Sequence, residues 1–311
     1  MEKIKIGILG YGNLGKAVEK AVNVQQDTEL AGIYSRRTLD HPLVKPVEML
    51  EERADIDVLI LCTGSAMDLP EQTPKYARLY NVVDSFDHHQ KIRRHYSTVD
   101  QAAREGGKLA LISCGWDPGL FSMMRLLFSV VLPGVTTATF WGKGISQGHS
   151  DAIRCIRGVK DARQYTVPLE SAIEKVRAGI TNPKEMMAVN MHRRQCYVVA
   201  EAEADLLRIE DEIKSMPDYF EGYETTVEFI SQEKLEEEHS GLPHGGTVLG
   251  VGKGTTASFQ LDLSSNPDFT ADILTAYARA VHHLAKEGET GCRIMPEIPF
   301  SKLCPDMFIH M

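Results

Sequence analysis

Up to about residue 115 the chain alternates short, unbroken apolar runs with amphipathic stretches. Ile4-Lys5-Ile6-Gly7-Ile8-Leu9 predicts a buried strand, and the stripe Ala17, Val18, Ala21, Val22 predicts a helix after it. Further strands are expected over residues 30–34, 57–62, 81–84 and 108–113, with helices after Pro70 and over residues 90–105. Apolar strands linked by helices read as parallel and covered on both faces, an α/β doubly wound sheet of Rossmann type. After residue 120 the pattern changes. Residues 135–141, 194–200, 225–230, 247–251 and 256–263 alternate apolar with polar positions, which predicts an antiparallel or mixed sheet with one solvated face. Helices are expected near 169–177 and 205–215, and a last long one over 269–287 that returns to the first domain. The expected division is a first domain of residues 1–118 joined by 267–311, and a second, α+β mixed-sheet domain of residues 119–266.

The turn after the first strand is Gly10-Tyr11-Gly12-Asn13-Leu14-Gly15, a complete G-x-G-x-x-G that opens the first helix. Gly10 suits the tight turn, Gly12 lets backbone approach a pyrophosphate, and Gly15 lets helix pack closely on strand. The phosphates would meet the free N–H groups and positive dipole end of that helix. The second strand runs into Ser35-Arg36-Arg37, where an NAD enzyme keeps an acid for the ribose 2′-hydroxyl. Two cations and a hydroxyl suit a 2′-phosphate, so the expected cofactor is NADP(H). Asp27 and Glu29 precede the strand and lie at its wrong end. A solvated loop is the plain alternative for the two arginines.

Composition narrows the partners. With 311 residues and 43% hydrophobic positions, the chain is long enough for two cores. A net charge of −9 argues against nucleic acid or an anionic membrane as partner. No apolar stretch approaches the ~20 residues of a membrane span. The N-terminus reads as strand, so no signal peptide is expected and the chain is read as cytoplasmic. The six cysteines show no C-x-x-C and no metal-ligand spacing. His88-His89 and His282-His283 are adjacent pairs that do not share a helix face, so no metal is expected. The acidic run at residues 233–238 reads as a solvated helix face.

In a doubly wound sheet ligands gather at the carboxyl ends of the strands. Those ends carry Cys62-Thr63-Gly64-Ser65-Ala66, Asp84-Ser85-Phe86-Asp87 and Cys114-Gly115-Trp116-Asp117-Pro118-Gly119. Carboxylates, an aromatic and small residues are thus expected around the nicotinamide end of a dinucleotide.

These motifs, with Phe140-Trp141-Gly142, Ser146-Gln147-Gly148-His149-Ser150-Asp151, Pro243-His244-Gly245-Gly246 and Asn266-Pro267-Asp268-Phe269-Thr270, resemble the meso-diaminopimelate D-dehydrogenase family over nearly the whole chain. S-Q-G-H-S-D and P-H-G-G are far more specific than a glycine fingerprint. The resemblance implies an NADP-dependent, reversible oxidative deamination at the D-centre of meso-2,6-diaminopimelate. The product is L-2-amino-6-oxopimelate, which cyclises to tetrahydrodipicolinate, and ammonia is released. It also implies a homodimer formed through the second domain.

Such a reaction needs an acceptor that holds the reacting ammonium and takes its proton before hydride leaves. Asp87 and Asp117 are suitably placed, and the resemblance assigns both to that amino group. Asp87 also reads as a helix N-cap, and Asp117 as a turn residue before Pro118. Trp116 is expected to wall the pocket or to sit in the core, and the resemblance adds Phe140 and Trp141. Gln147 and Gly148, on a loop entering a helix at residues 151–155, would offer N–H groups to the D-centre carboxylate, with Asp151 binding or capping. For the distal amino-acid centre the resemblance implies Thr166, Arg194 and His244, with Asn266 as either ligand or N-cap. Arginine suits that end because its planar fork grips a carboxylate. Arg194 is preferred to Arg193 because it begins R-Q-C. Strand threonine, strand-start cation and turn histidine are the plain readings.

Two other functions fit the same plan. A dihydrodipicolinate-reductase-like NADPH reductase would want a lysine- and histidine-rich substrate loop, where this chain has Trp116-Asp117. A non-catalytic NADP-binding protein would have no need of both Asp87 and Asp117.

Overall fold

The computed structural model describes residues 3–132, 134–180, 182 and 184–304; the ends of the expected first domain, 1–2 and 305–311, lie outside the described residues. It divides into two compact units, residues 1–123 with 267–311, and residues 124–266.

The first unit is built on a seven-stranded sheet. Its strands are β1 (Ile4–Leu9), β2 (Thr28–Ser35), β3 (Val44–Pro46), β4 (Val58–Leu61), β5 (Asn81–Asp84), β6 (Leu109–Leu111) and, late in the chain, β14 (Gly291–Arg293). Every pair is parallel, in the order β3-β2-β1-β4-β5-β6-β14. Its first six strands follow the doubly wound dinucleotide order, which reverses direction between β1 and β4. β2 begins at Thr28, so Glu29 lies inside the strand, still at its amino end.

Strand alternation sends side chains to two cores. Ile6, Ile8, Val58 and Ile60 pack with helix α1 (Asn13–Val24) and with α10 (Asn266–Lys286) through Ala271, Leu274, Ala278 and Val281. Leu59, Leu61 and Val82 pack on the other face with α2 (Leu69–Ala77) and α3 (Ile92–Gly106). The last long helix therefore belongs to the first unit's core, the return expected of this fold. Each of the buried valine, leucine and isoleucine side chains contributes roughly 1.5–3 kcal/mol.

The second unit holds two sheets where the alternation predicted one. β11 (Glu224–Phe229), β10 (His192–Ala200), β9 (Val159–Pro168) and β8 (Gly144–Ile145) form a mixed sheet in that order. β10 and β11 are parallel, whereas β9 is antiparallel to both its neighbours. β13 (Thr255–Leu263), β12 (His244–Gly252) and β7 (Thr136–Trp141) form an antiparallel sheet. The mixed sheet packs Ala162, Cys196 and Val198 against α5 (Gln147–Arg154) and α8 (Leu206–Lys214) through Ile153, Ile209 and Ile213. The smaller sheet packs Ala138, Phe140 and Leu249 against α6 (Glu170–Arg177) and α7 (Ala188–Met191). The apolar α4 (Leu120–Val131) precedes β7, and α9 (Gln232–His239) presents Glu233, Glu236, Glu237 and Glu238 to solvent.

Candidate active site

At the point where strand order reverses, the ends of β1, β2 and β4 enclose a cleft of about 300 Å³. Gly10, Tyr11, Gly12, Ser35, Arg36, Arg37, Cys62, Thr63 and Gly64 line it, together with Leu9, Asp68 and Gln72. Gly10 has φ +95°, and a Cβ there would sit 2.8 Å from the Cys62 carbonyl oxygen. A Cβ on Gly15 would lie 2.1 Å from the Gly10 oxygen, so the third glycine is a packing requirement. Gly12 is different. A Cβ there meets nothing within 4 Å, and Gly12 caps α1 without a side-chain hydrogen bond. Open space before uncapped first-turn N–H groups is what a diphosphate needs.

At the cleft's end, the Ser35 hydroxyl accepts the Arg37 N–H at 3.0 Å, and Arg36 reaches Asp68 at 2.8 Å. Both arginines are exposed and keep donors for a phosphate. Asn13 and Leu14 lie in the first turn of α1, while Ser65 and Ala66 sit just beyond the lining residues.

The two expected proton acceptors hang from one buried carboxylate. Asp84, the last residue of β5, is fully buried. Its Oδ1 accepts the Phe86 and Ser113 N–H groups at 3.0 and 2.9 Å. Its Oδ2 accepts the Thr73 hydroxyl at 2.8 Å and meets His95 Nε2 at 2.7 Å. One side chain thereby fixes both strand exits, that leading to Asp87 and that leading to Trp116 and Asp117. Asp87 is exposed and caps no helix, contrary to one reading of the sequence: the next turn starts at His89 after a His88 cap. Its Oδ1 instead accepts the Ser65 hydroxyl at 2.5 Å, and its N–H donates to Ser65 Oγ at 2.9 Å. Asp117 is half-buried, and Trp116 is nearly buried, edge-on to Phe121 at 5.2 Å.

In the second unit, sheet register gathers the distal set. Gly144 pairs with Thr166 and Thr166 with Arg194. A Cβ on Gly144 would strike the His244 ring at 2.6 Å, so the glycine leaves room for that imidazole. Arg194 is only 8% exposed, whereas Arg193 is exposed. Its Nη1 donates to Thr166 Oγ1 at 2.5 Å, and its guanidinium lies 4.0 Å from the Tyr223 ring centre. Burial lowers its pKa, and among the described residues no carboxylate is ion-paired with it. A buried cation without a protein counter-ion is costly and suits an anionic ligand.

The histidines around it are neutral. Burial first, and then Arg194's charge, pull His149 down to about 3. His192 is lowered to about 4, again chiefly by burial. Its Nε2 accepts the Trp141 N–H at 2.9 Å, so Nδ1 carries the hydrogen toward Ala188 O. The His192 ring also stacks on Trp141 at 5.3 Å. Burial lowers His244 too; its Nδ1 accepts the Gly245 N–H at 2.8 Å, which leaves Nε2 as the N–H donor.

Several expectations need correction. Gln147 and Gly148 form the first turn of α5, capped by Ser146, and are not on a loop before it. The helix starts four residues earlier than expected because Ser146 accepts the His149 N–H. Asp151 therefore lies within the helix and is ion-paired with Arg154. Phe140 is 1% exposed and points into the smaller sheet's core, so it supports Trp141 rather than lining a pocket. Asn266 is the first residue of α10, not its cap, and its N–H donates to Leu242 O at 3.1 Å. Asp84, His95, His192 and Tyr223 were not singled out in the sequence. A polar residue ending an otherwise apolar strand was the one available signal, at Asp84.

The strand order, the glycine fingerprint at its reversal and the cationic end of β2 define a dinucleotide-dependent oxidoreductase. A family model described as the diaminopimelic acid dehydrogenase C-terminal domain matches residues 115–265. The meso-diaminopimelate D-dehydrogenase of Acetivibrio thermocellus is 51% identical, covering 98% of this chain and 95% of that protein. The Corynebacterium glutamicum enzyme is 45% identical over 98% of this chain and 97% of its own. Its structure, DAP dehydrogenase in complex with DAP, superimposes with a TM-score of 0.92, covering 100% of this chain and 98% of that one. An engineered D-amino acid dehydrogenase bound to NADP+ matches with a TM-score of 0.88 at 43% identity, covering 99% of both chains. The chain belongs to the meso-diaminopimelate D-dehydrogenase family.

Among the described residues no cluster of three metal-ligating side chains occurs, and no helix is long and apolar enough to cross a membrane.

Proposed function

We propose that this chain carries out the reversible oxidative deamination of the D-centre of meso-2,6-diaminopimelate with the residues described above. As a member of this family it is an NADP-dependent oxidoreductase acting on CH–NH2. NADP is held by Gly10 and Gly12, the first turn of α1, and Ser35, Arg36 and Arg37. When bound, NADP+ supplies the acceptor for the hydride that leaves the D-centre Cα. Asp117 and Asp87 hold the reacting ammonium, and Asp117 takes its proton, so that the nitrogen lone pair can drive that departure. The resulting imine adds water and releases ammonia. The first-turn N–H groups at Gln147 and Gly148 take the D-centre carboxylate, and Trp116 and Trp141 form walls.

Thr166, Arg194 and His244 hold the distal L-centre. The observation that carries this reading is Arg194, buried, fixed by Thr166 and Tyr223, and without a carboxylate of its own. Asp151 and Asn266 border the substrate in the same reading.

The wider setting is lysine and diaminopimelate biosynthesis in the cytoplasm. A homodimer forms through the second unit, where Leu126, Leu127, Val130 and Val131 of α4 expose an apolar face. A stable monomer by light scattering at micromolar concentration would sink the dimer.

The activity is tested by NADPH oxidation with L-2-amino-6-oxopimelate. Oxidation that requires ammonia supports deamination in reverse. Ammonia-independent oxidation would indicate a reductase, and none at all a binding protein.

A further inference from the structure

On β9 the face carrying Thr166 also carries Gln164, and on β10 the matching face carries Arg194 and Cys196. Arg194 stands opposite Thr166, and Cys196 opposite Gln164. Gln164 and Arg194 are thus diagonal neighbours on one face, a separation that long side chains span. The Gln164 backbone is already satisfied: its N–H donates to Ser150 Oγ at 2.9 Å and its carbonyl accepts the Ser146 N–H at 3.0 Å. Its side chain is 0% exposed, yet neither Oε1 nor Nε2 meets a protein partner. Arg194 Nε is buried in the same condition. Elsewhere on the guanidinium, Nη1 donates to Thr166 Oγ1 and the Tyr223 ring lies against the face.

A wholly buried amide on the sheet face that carries the apolar Ala162, Cys196 and Val198 is a poor choice unless it bonds to something. Small buried polar sites of this kind are characteristically bridged by ordered water with two to four partners. We propose that Gln164 is a positioning residue for Arg194. An internal water molecule accepts the Nε–H and donates to Gln164 Oε1, and so sets the plane in which the guanidinium meets the distal carboxylate. The inference rests on the assignment of Arg194 to the substrate's distal centre and adds the group that aims it.

The test is a double-mutant cycle between Gln164→Met and Arg194→Met, read as kcat/KM for meso-diaminopimelate relative to that for D-alanine. Gln164→Met keeps the length of the side chain and removes its polar atoms. It should lower the ratio about tenfold, through KM, as expected for loosening a charge-assisted contact. In the Arg194→Met background it should lower the ratio no further, because the group it aims is gone. An unchanged ratio with a raised Tm would overturn the inference, since Gln164 would then be only a burden on the core. Should Arg194→Met depress both substrates equally, the distal-centre assignment fails, and this inference with it. A crystal structure of the unsubstituted enzyme decides the matter without any variant. Water within about 3.2 Å of both Arg194 Nε and Gln164 Oε1 is expected; an apolar void or a protein atom there contradicts it.

Discussion

In the first unit the cofactor cleft is shaped by backbone: glycines at 10, 12 and 15, an uncapped helix start, and the ends of three parallel strands. In the second unit the proposed distal anchor is shaped by side chains. A buried arginine is held on one edge by Thr166 and on one face by Tyr223, with neutral histidines around it. The first arrangement suits a ligand common to many enzymes, because N–H groups and a helix dipole recognise any diphosphate. The second suits the proposed distal carboxylate, because a buried cation with no ion pair among the described residues is costly until an anion of the right reach arrives. Generality and specificity are thus divided between backbone and side-chain chemistry.

The comparison breaks most sharply at Asp117, whose loss should affect every amino acid. Asp117→Ala should lower turnover by at least about a hundredfold with meso-diaminopimelate and with D-alanine alike, while NADP+ binding followed by fluorescence is kept. A selective loss with one substrate would mean that Asp117 does not serve the reacting amine.

Changes in the distal anchor should be selective instead. Arg194→Met with His244→Asn should cut kcat/KM for meso-diaminopimelate about a hundredfold and spare, or even expose, activity on D-amino acids with apolar side chains. Equal damage to both substrates would erase the division between reacting and distal ends.

A smaller effect is expected in the cofactor cleft. Arg36→Ala with Arg37→Ala should raise KM for NADP+ at least about tenfold and change that for NAD+ much less. Equal effects would remove the 2′-phosphate from the account.

The gentlest test is pH. His149 and His192 are held neutral in the fold, near 3 and 4, against an ordinary value of 6.5. Between pH 6.5 and those values the unfolded chain binds protons that the native one refuses. Stability should therefore fall as pH drops through that window, by about 1.4 kcal/mol per pH unit for each histidine. Urea midpoints at pH 7 and pH 5 measure this, and His192→Gln should flatten the slope; an unchanged slope would mean that His192 takes up its proton in the fold as readily as in the unfolded chain.

What could be read directly from the sequence follows the same division. The glycine fingerprint, the apolar parallel strands and the basic end of β2 are local patterns, and each predicted its own place in the structure. β9 carries no such pattern. Its inner face bears Gln164 and Thr166, and Lys160, Asp161 and Arg163 break the apolar alternation elsewhere along it, so the full extent of this strand escapes the apolar–polar pattern. Tyr223 lies just outside β11, and its role comes only from register between strands far apart in sequence. Asp84 and Asp87 sit three residues apart with the same chemistry. Only folding separates the buried one, which fixes two strand exits, from the exposed one beside Ser65. The start of α5 was missed because glycine at 148 reads as a loop, although Ser146 supplies the cap.

In the proposed reaction a D-configured amino centre is oxidised while an L-configured one serves as the handle. Reduction of NADP+ measured with meso-, LL- and DD-diaminopimelate and with simple D-amino acids tests it most directly. Rapid NADPH formation with the meso isomer and none with the LL isomer is the predicted result. Turnover of the LL isomer at a comparable rate would contradict it.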